Sequence, residues 1–107
     1  MKESNFYEKV YVLCKKIPKG RVSTYKLLGD ALHTKAYRAV GQALKCNPDA
    51  PRIPCHRVVA SNGTLYGFKG KMEGKALNDK RKLLEGEGVK VIHNKIADFD
   101  RVLYTFK

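Results

Sequence analysis

Residues 23–45, STYKLLGDALHTKAYRAVGQALK, decide the fold, because they hold two short helix-forming segments on either side of a tight turn. Ser23 is a plausible N-cap for the first segment. The apolar residues of that segment share one helical face: Leu27, Leu28, Ala31 and Leu32. The second segment, Ala36–Lys45, follows the turn at residues 33–35. This pattern predicts a helix-turn-helix at about residues 23–46.

The second predicted helix carries small side chains that permit close approach to another backbone or to a groove. These are Ala36, Ala39, Gly41 and Ala43. Ordinary helix packing would use such a face equally well. Arg38 and Lys45 on the same helix favour DNA as the surface approached, because the whole chain is basic.

The positive charge extends along the chain. Its 107 residues contain 22 Lys and Arg against 10 Asp and Glu, a formal charge of +12. The excess is 12 minus 4 over residues 1–68 and 10 minus 6 over residues 69–107, so it does not arise from a basic tail. The length predicts a single domain, residues 1–107. The charge predicts a polyanionic partner, most often nucleic acid, with a solvated basic surface as the alternative.

Three cysteines, Cys14, Cys46 and Cys55, fit neither a disulfide framework nor a tetrahedral zinc site, because their spacings are 32 and 9. We therefore expect no metal and a reducing, cytoplasmic location. The amino terminus leads into an amphipathic run rather than a uniformly apolar one. We accordingly expect neither a signal peptide nor an association with membranes.

The remaining patterns predict an α+β fold that is mainly helical. An amphipathic helix ends before Pro18 and carries Cys14 on its apolar face as a core residue. Another helix, at about Ala76–Glu85, is predicted to direct Lys80, Arg81 and Lys82 outward. Strand composition and turn residues predict a small hairpin around residues 61–63 and a pairing of residues 89–92 with residues 101–106.

The segment Pro54-Cys55-His56-Arg57-Val58 places a nucleophile beside a titratable imidazole and a permanent cation. A free cysteine has a pKa near 8.5, so a useful thiolate needs a base or a positive field nearby. Residues 53–60 are predicted to be extended, and adjacent side chains of a strand point to opposite faces. Cys55 and His56 then cooperate only if the backbone bends or a water bridges them. The alternative is a buried cysteine beside a surface pair.

Four motifs occur in a fixed order along the chain: Gly20-Arg21-Val22-Ser23-Thr24-Tyr25, Arg38-Ala39-Val40-Gly41, Asn47-Pro48 and Ile53-Pro54-Cys55-His56-Arg57-Val58-Val59. In this order the chain resembles the O6-alkylguanine-DNA alkyltransferases over roughly residues 6–107. The resemblance implies the catalytic, DNA-binding domain of that family alone, with a winged-helix-like fold. It further implies irreversible transfer of an alkyl group, methyl above all, from O6 of guanine to Cys55, without a cofactor.

The resemblance also implies catalytic roles. His56 acts on Cys55 through a bridging water, and a glutamate orients His56. The match favours Glu87 for that glutamate, with Glu85 as the alternative. Asn47 matches the asparagine that braces the turn between the recognition helix and the active site.

On the DNA side, the resemblance implies a monomer that binds double-stranded DNA containing O6-alkylguanine through the minor groove and associates with the nucleoid. Arg38 matches the arginine that replaces the extruded nucleotide, and Tyr25 matches the tyrosine that donates its hydroxyl to the departing purine. The recognition helix uses small residues for its approach, and Tyr37 departs from that rule. The positions on this helix that match the family's DNA contacts are Ala36, Tyr37, Ala39 and Gly41.

The substrate pocket implied by the resemblance uses main-chain groups of Cys55, Val58 and Lys69 and an apolar wall from Phe68. Arg57 is assigned to the same pocket without a derived role. Phe68 and Lys69 depart from the tyrosine and serine common there, so the alkyl groups preferred beyond methyl stay open.

Two other functions fit the sequence. The first is an alkyltransferase-like protein that binds the lesion with little transfer, although in such proteins the reactive cysteine is replaced and here Cys55 is present. The second is a helix-turn-helix transcriptional regulator in which Cys55 has a structural or redox role.

Overall fold

The structure is a computed structural model that describes residues 2–50, 52–65 and 74–106, with side chains from residue 6 onward. Helices dominate this part of the chain, which confirms the mainly helical α+β fold. In chain order the elements are α1 (Lys2–Lys16), β1 (Ser23–Thr24), α2 (Tyr25–Ala31), α3 (Tyr37–Lys45), a 3-10 helix (Cys55–Arg57), β2 (Val58–Val59), α4 (Gly74–Gly86), β3 (Val91–Ile92), β4 (Lys95–Ile96) and α5 (Phe99–Val102).

Helix α1 packs its apolar face against α3. Its wholly buried residues are Val10 and Cys14, and Ile17 follows just after the helix. Tyr11 fixes the contact, because its hydroxyl donates a hydrogen bond of 2.8 Å to the carbonyl of Ala43 on α3. Burial raises the pKa of the Cys14 thiol, so Cys14 is a neutral core residue, as its place on the apolar face predicted.

The N-cap of α2 is Thr24 and not Ser23. The Thr24 hydroxyl accepts a hydrogen bond of 3.0 Å from the amide of Leu27, which satisfies a free donor in the first helical turn. Ser23 instead lies in β1, where it pairs with Val58 of the parallel strand β2. This pairing joins the start of the helix-turn-helix to the residues that follow Cys55.

The carboxyl-terminal part differs from the expected pairing of residues 89–92 with residues 101–106. Strand β3 pairs with β4 in an antiparallel hairpin, and residues 99–102 form α5. The two residues between these strands, His93 and Asn94, have φ of 50° and 61°. Such left-handed residues form the tight turn that suits a two-residue hairpin loop, so the chain reverses there instead of continuing to residue 101.

Lys80 of α4 contradicts the prediction that it points outward. Its side chain is wholly buried, and its ammonium group donates hydrogen bonds of 2.7 Å to the carbonyls of Val58 and Leu65. Burial lowers the pKa of Lys80 to about 7, because a low-dielectric surrounding disfavours the charged form. Lys80 thereby connects α4 to strand β2, immediately after the 3-10 helix Cys55–Arg57.

Candidate active site

Cys55 opens the 3-10 helix, so the prediction of an extended segment is wrong at residues 55–57. The turn is closed by a hydrogen bond of 2.9 Å from the amide of Arg57 to the carbonyl of Pro54. With three residues per turn, successive side chains are rotated by about 120° rather than alternating between two faces. The strand geometry that would separate Cys55 from His56 is therefore absent at these residues. Cys55 is 6% exposed.

The imidazole of His56 is buried and held by Glu87, with Nε2 3.0 Å from a carboxylate oxygen. Because a carboxylate only accepts hydrogen bonds, Nε2 carries the hydrogen, and Nδ1 of the neutral ring is an acceptor. Nδ1 is buried and has no hydrogen-bond partner among the described residues. Burial lowers the pKa of His56, and the opposing effect of Glu87 is smaller. The site therefore holds a neutral imidazole with one free basic nitrogen.

Glu87, rather than the alternative Glu85, is the partner of His56. It follows the last residue of α4, and it also receives two hydrogen bonds from Arg57, of 2.9 and 2.7 Å. Burial acts to raise the pKa of Glu87, but the hydrogen bonds from Arg57 and His56 outweigh it and hold the pKa below its usual range. Glu85 is exposed and forms an ion pair of 3.6 Å with Arg81.

Arg57 has a structural role that its neighbours in sequence do not reveal. The guanidinium group of Arg57 forms a fork, a pair of hydrogen bonds, to the carboxylate of Glu87. It donates a third hydrogen bond, of 2.8 Å, to the carbonyl of Ile17, at the end of the first helical segment. Arg57 thus links Glu87 to the end of the first helical segment. Arg57 therefore holds Glu87, while its assignment to the substrate pocket stays a prediction.

Asn47 braces the loop that leads from α3 to Cys55. Its side-chain amide donates a hydrogen bond of 2.7 Å to the carbonyl of Ile53, and its side-chain oxygen accepts one of 2.9 Å from the amide of Asp49. Asn47 is therefore the donor in one bond and the acceptor in the other, and the two bonds together hold the loop closed. This geometry matches the bracing role expected of Asn47.

The residues assigned to DNA lie at the start of α2 and along α3. Tyr25 is the first residue of α2 and packs against the core cluster that contains Cys55. Arg38 is exposed on α3, and a Cβ atom added at Gly41 would meet nothing within 4 Å in the described part of the chain. Ala36 is also exposed, while Ala39 is half-buried. Part of this small-residue face is therefore open.

The expected substrate pocket is only partly described. Val58 is wholly buried, and its carbonyl, one of the main-chain groups expected to line this pocket, accepts a hydrogen bond from Lys80. Phe68 and Lys69 lie outside the described residues. Sequence reasoning missed Lys80, although its spacing from Leu77 and Leu84 places it on the apolar face of α4.

The described residues offer no other obvious class of site. Within residues 2–50, 52–65 and 74–106, no group of three or more His, Cys, Asp or Glu side chains is arranged to hold a metal ion. In the same ranges, none of the helices combines the length and the apolar character that crossing a membrane requires.

Comparison with protein families and curated proteins gives a consistent result. The family model for 6-O-methylguanine DNA methyltransferase, DNA binding domain, matches residues 5–89. A methylated-DNA--protein-cysteine methyltransferase of Candida glabrata is 48% identical over 83 residues, covering 77% of this chain and 38% of that protein. One of Saccharolobus solfataricus is 50% identical over 76 residues, covering 71% of this chain and 46% of that protein. The chain thus spans less than half the length of these two relatives.

Solved structures add two kinds of neighbour. Schizosaccharomyces pombe Atl1, in complex with damaged DNA containing O6-carboxymethylguanine, aligns with a TM-score of 0.80 at 28% identity, over 94% of this chain and 95% of that one. Mycobacterium tuberculosis OGT in complex with DNA aligns with a TM-score of 0.68 at 38% identity, over 77% of this chain and 48% of that one.

Proposed function

The chain belongs to the 6-O-methylguanine DNA methyltransferase family through that family's DNA-binding domain, and from this premise we propose that it repairs DNA by transferring an alkyl group from O6 of guanine to Cys55. One observation carries the proposal. Cys55 and His56 share one turn of 3-10 helix, and Nδ1 of His56 is a buried free acceptor while Glu87 holds Nε2. These observations support Cys55 as the nucleophile, His56 as its base and Glu87 as the group that orients the base.

The transfer follows from these positions. The thiol proton of Cys55 passes through a water molecule to Nδ1 of His56, and the thiolate attacks the alkyl carbon in line. The bond between sulfur and carbon forms as the bond between that carbon and O6 breaks, and its electron pair passes to guanine. The hydroxyl of Tyr25 supplies the proton that the departing purine takes up, and Tyr25 is reprotonated from solvent while the protonated His56 returns its proton to solvent. The product is a stable thioether, so each molecule acts once.

DNA binding rests on charge and on α3. The formal charge of +12 favours the phosphate backbone. Helix α3 presents the exposed Ala36 and the open side of Gly41, which suit a close approach to the minor groove. Arg38 is exposed on the same helix. It matches the arginine that takes the place of the damaged nucleotide in the base stack when that nucleotide is extruded. We expect this extrusion because O6 of a stacked guanine is out of reach of a buried thiol.

A second candidate is recognition of the lesion without transfer. It is favoured by the alignment with Atl1, which covers nearly the whole of both chains, whereas the methyltransferase relatives are matched over less than half of their length. Cys55 supports transfer over this alternative, because a site without chemistry has no need of a thiol beside a neutral imidazole. The third candidate is a sequence-specific transcriptional regulator. Such a protein binds damaged and undamaged DNA of the same sequence equally.

One experiment separates these functions. The protein is incubated with a duplex that carries a single O6-methylguanine, and its peptides are then mapped by mass spectrometry. Transfer adds about 14 Da, one methylene, to the peptide that contains Cys55, and Cys55→Ala abolishes the addition while retaining binding to the duplex. An unmodified Cys55 with tighter binding to the damaged duplex supports lesion recognition alone. Equal binding to damaged and undamaged duplexes, with Cys55 unmodified, excludes both alkyl transfer and lesion recognition. The cytoplasmic location, the nucleoid association and the monomeric state stay predictions.

A further inference from the structure

The recognition helix α3 begins without the usual side-chain cap. The residue before it, Ala36, offers no side-chain acceptor to the first turn, and α3 is a helix of nine residues with Gly41 near its middle. Short helices of this kind depend on tertiary contacts to hold their ends. Arg38 lies in this first turn, and its guanidinium has no hydrogen bond or ion pair with another described residue. The position of Arg38 is therefore set by the backbone of the turn.

Tyr37 supplies the contact that holds this turn. Its ring lies directly on Gly29 of α2, since a Cβ atom added at Gly29 would lie 2.6 and 2.7 Å from two of the ring carbons. Its hydroxyl donates a hydrogen bond of 2.8 Å to one carboxylate oxygen of Asp30. The other oxygen of Asp30 accepts a hydrogen bond of 2.9 Å from Lys26. The side chain of Tyr37 is thus anchored on α2 at both its ring and its hydroxyl.

This arrangement explains how a large residue is accommodated in a helix whose other matched positions are small. Only a glycine at position 29 leaves room for the ring, because any side chain there would have to displace it. The ring consequently packs between the two helices and is half-buried, while the exposed Arg38 is the next residue along α3.

We propose that Tyr37 is a positioning residue for nucleotide extrusion: seated on Gly29 and bonded to Asp30, it fixes the first turn of α3 and with it Arg38. The proposal rests on the alkyl transfer from duplex DNA proposed above. It assigns Tyr37 an effect through the helix rather than a contact with DNA. The role matters only for substrates in which a base must be turned out of a stack.

The test compares two substrates in single-turnover transfer: a duplex with O6-methylguanine and the free base O6-methylguanine, which carries the same alkyl group and needs no extrusion. We expect Tyr37→Ala to lower the ratio of the duplex rate to the free-base rate by about tenfold, and Tyr37→Phe to lower it by a smaller factor. Gly29→Ala should lower the same ratio by displacing the ring. The double variant Gly29→Ala/Tyr37→Ala should behave like Tyr37→Ala alone, because the added methyl group then meets no ring.

Tyr11→Phe is the matched control, since it removes a comparable tyrosine hydrogen bond from the other end of α3. Its ratio should equal that of the wild type, even if its thermal stability falls. An unchanged ratio in Tyr37→Ala and Tyr37→Phe, with wild-type transfer from both substrates, overturns the positioning role and leaves the proposed function intact. Additive losses in the Gly29→Ala/Tyr37→Ala variant also overturn it. A wild type that alkylates Cys55 from neither substrate refutes the proposed function itself.

Discussion

Nε2 of His56 lies 3.0 Å from the carboxylate of Glu87, and this pairing determines which ring nitrogen is free to accept a proton. The carboxylate fixes the hydrogen on Nε2 and leaves Nδ1 as the base. Arg57 shares the same carboxylate through two hydrogen bonds. Burial is the main cause that lowers the pKa of His56, and the positive charge of Arg57 adds to this lowering against the opposing effect of Glu87.

We predict that Glu87→Gln lowers the rate of single-turnover alkyl transfer by about ten- to a hundredfold, because the amide no longer fixes the hydrogen on Nε2 and loses the fork to Arg57. The rate is measured with a labelled O6-methylguanine duplex in excess of protein. Glu85→Gln is the control: it removes a carboxylate two residues away that pairs with Arg81 at the surface. Equal losses in both variants would contradict the role of Glu87.

The pH dependence of transfer should reflect the lowered pKa of His56. Only the neutral ring accepts the proton of Cys55, so the rate should not fall until the pH drops below about 6.5, the ordinary histidine value. Arg57 contributes to lowering the pKa of His56. Arg57→Met should therefore move the acid limb of the rate profile to higher pH. An acid limb in the same place for both proteins would show that Arg57 does not tune His56.

The burial of Lys80 should make the free energy of unfolding depend on pH. Because its folded pKa is about 7 and its unfolded pKa is near 10.4, the unfolded chain binds more protons between these values. The free energy of unfolding should accordingly gain a rising contribution from about pH 7 to about pH 10. Lys80→Met should remove that contribution in urea titrations across this range, whereas Lys82→Met, exposed on the same helix, should keep it. Parallel curves of the free energy of unfolding against pH for the wild type and Lys80→Met would contradict this prediction.

Asn47→Ala should destabilise the protein by about 1–2 kcal/mol, since it removes two hydrogen bonds, one to the carbonyl of Ile53 and one from the amide of Asp49, and opens the loop before Cys55. It should also slow transfer, because this loop positions the nucleophile. Asn62→Ala is a suitable comparison: its side-chain oxygen accepts bonds of 3.1 and 2.9 Å from Thr64 in an exposed turn. We expect a smaller loss of stability there. A transfer rate unaffected by Asn47→Ala would show that this loop does not position Cys55 for transfer.

The features that sequence predicted are those that local pattern or ordered motifs determine. The helices on either side of residues 32–36 follow from periodicity, and Glu87 and Asn47 follow from motif order. Other contacts between distant residues followed neither from periodicity nor from motif order. The fork from Arg57 spans thirty residues to Glu87, and the burial of Lys80 depends on two carbonyls from other segments.

Two local predictions failed for identifiable reasons. The segment at Cys55 has the composition of a strand, but Pro54 and the hydrogen bond that closes over it wind the next residues into a 3-10 helix. The carboxyl-terminal strand expected at residues 101–106 gave way to α5 because the chain had already reversed at His93 and Asn94. In both places a turn overrode strand propensity, which is weaker and depends on context.

The central claim is that Cys55 is a single-use acceptor, and a stoichiometric titration tests it most directly. Increasing amounts of an O6-methylguanine duplex are added to a fixed amount of protein, and both repaired guanine and methylated cysteine are counted. We expect repair to stop at one guanine per chain, with the methyl group on Cys55 and none on Cys14 or Cys46. Continued repair beyond one equivalent, or repair without methylation of Cys55, would contradict it.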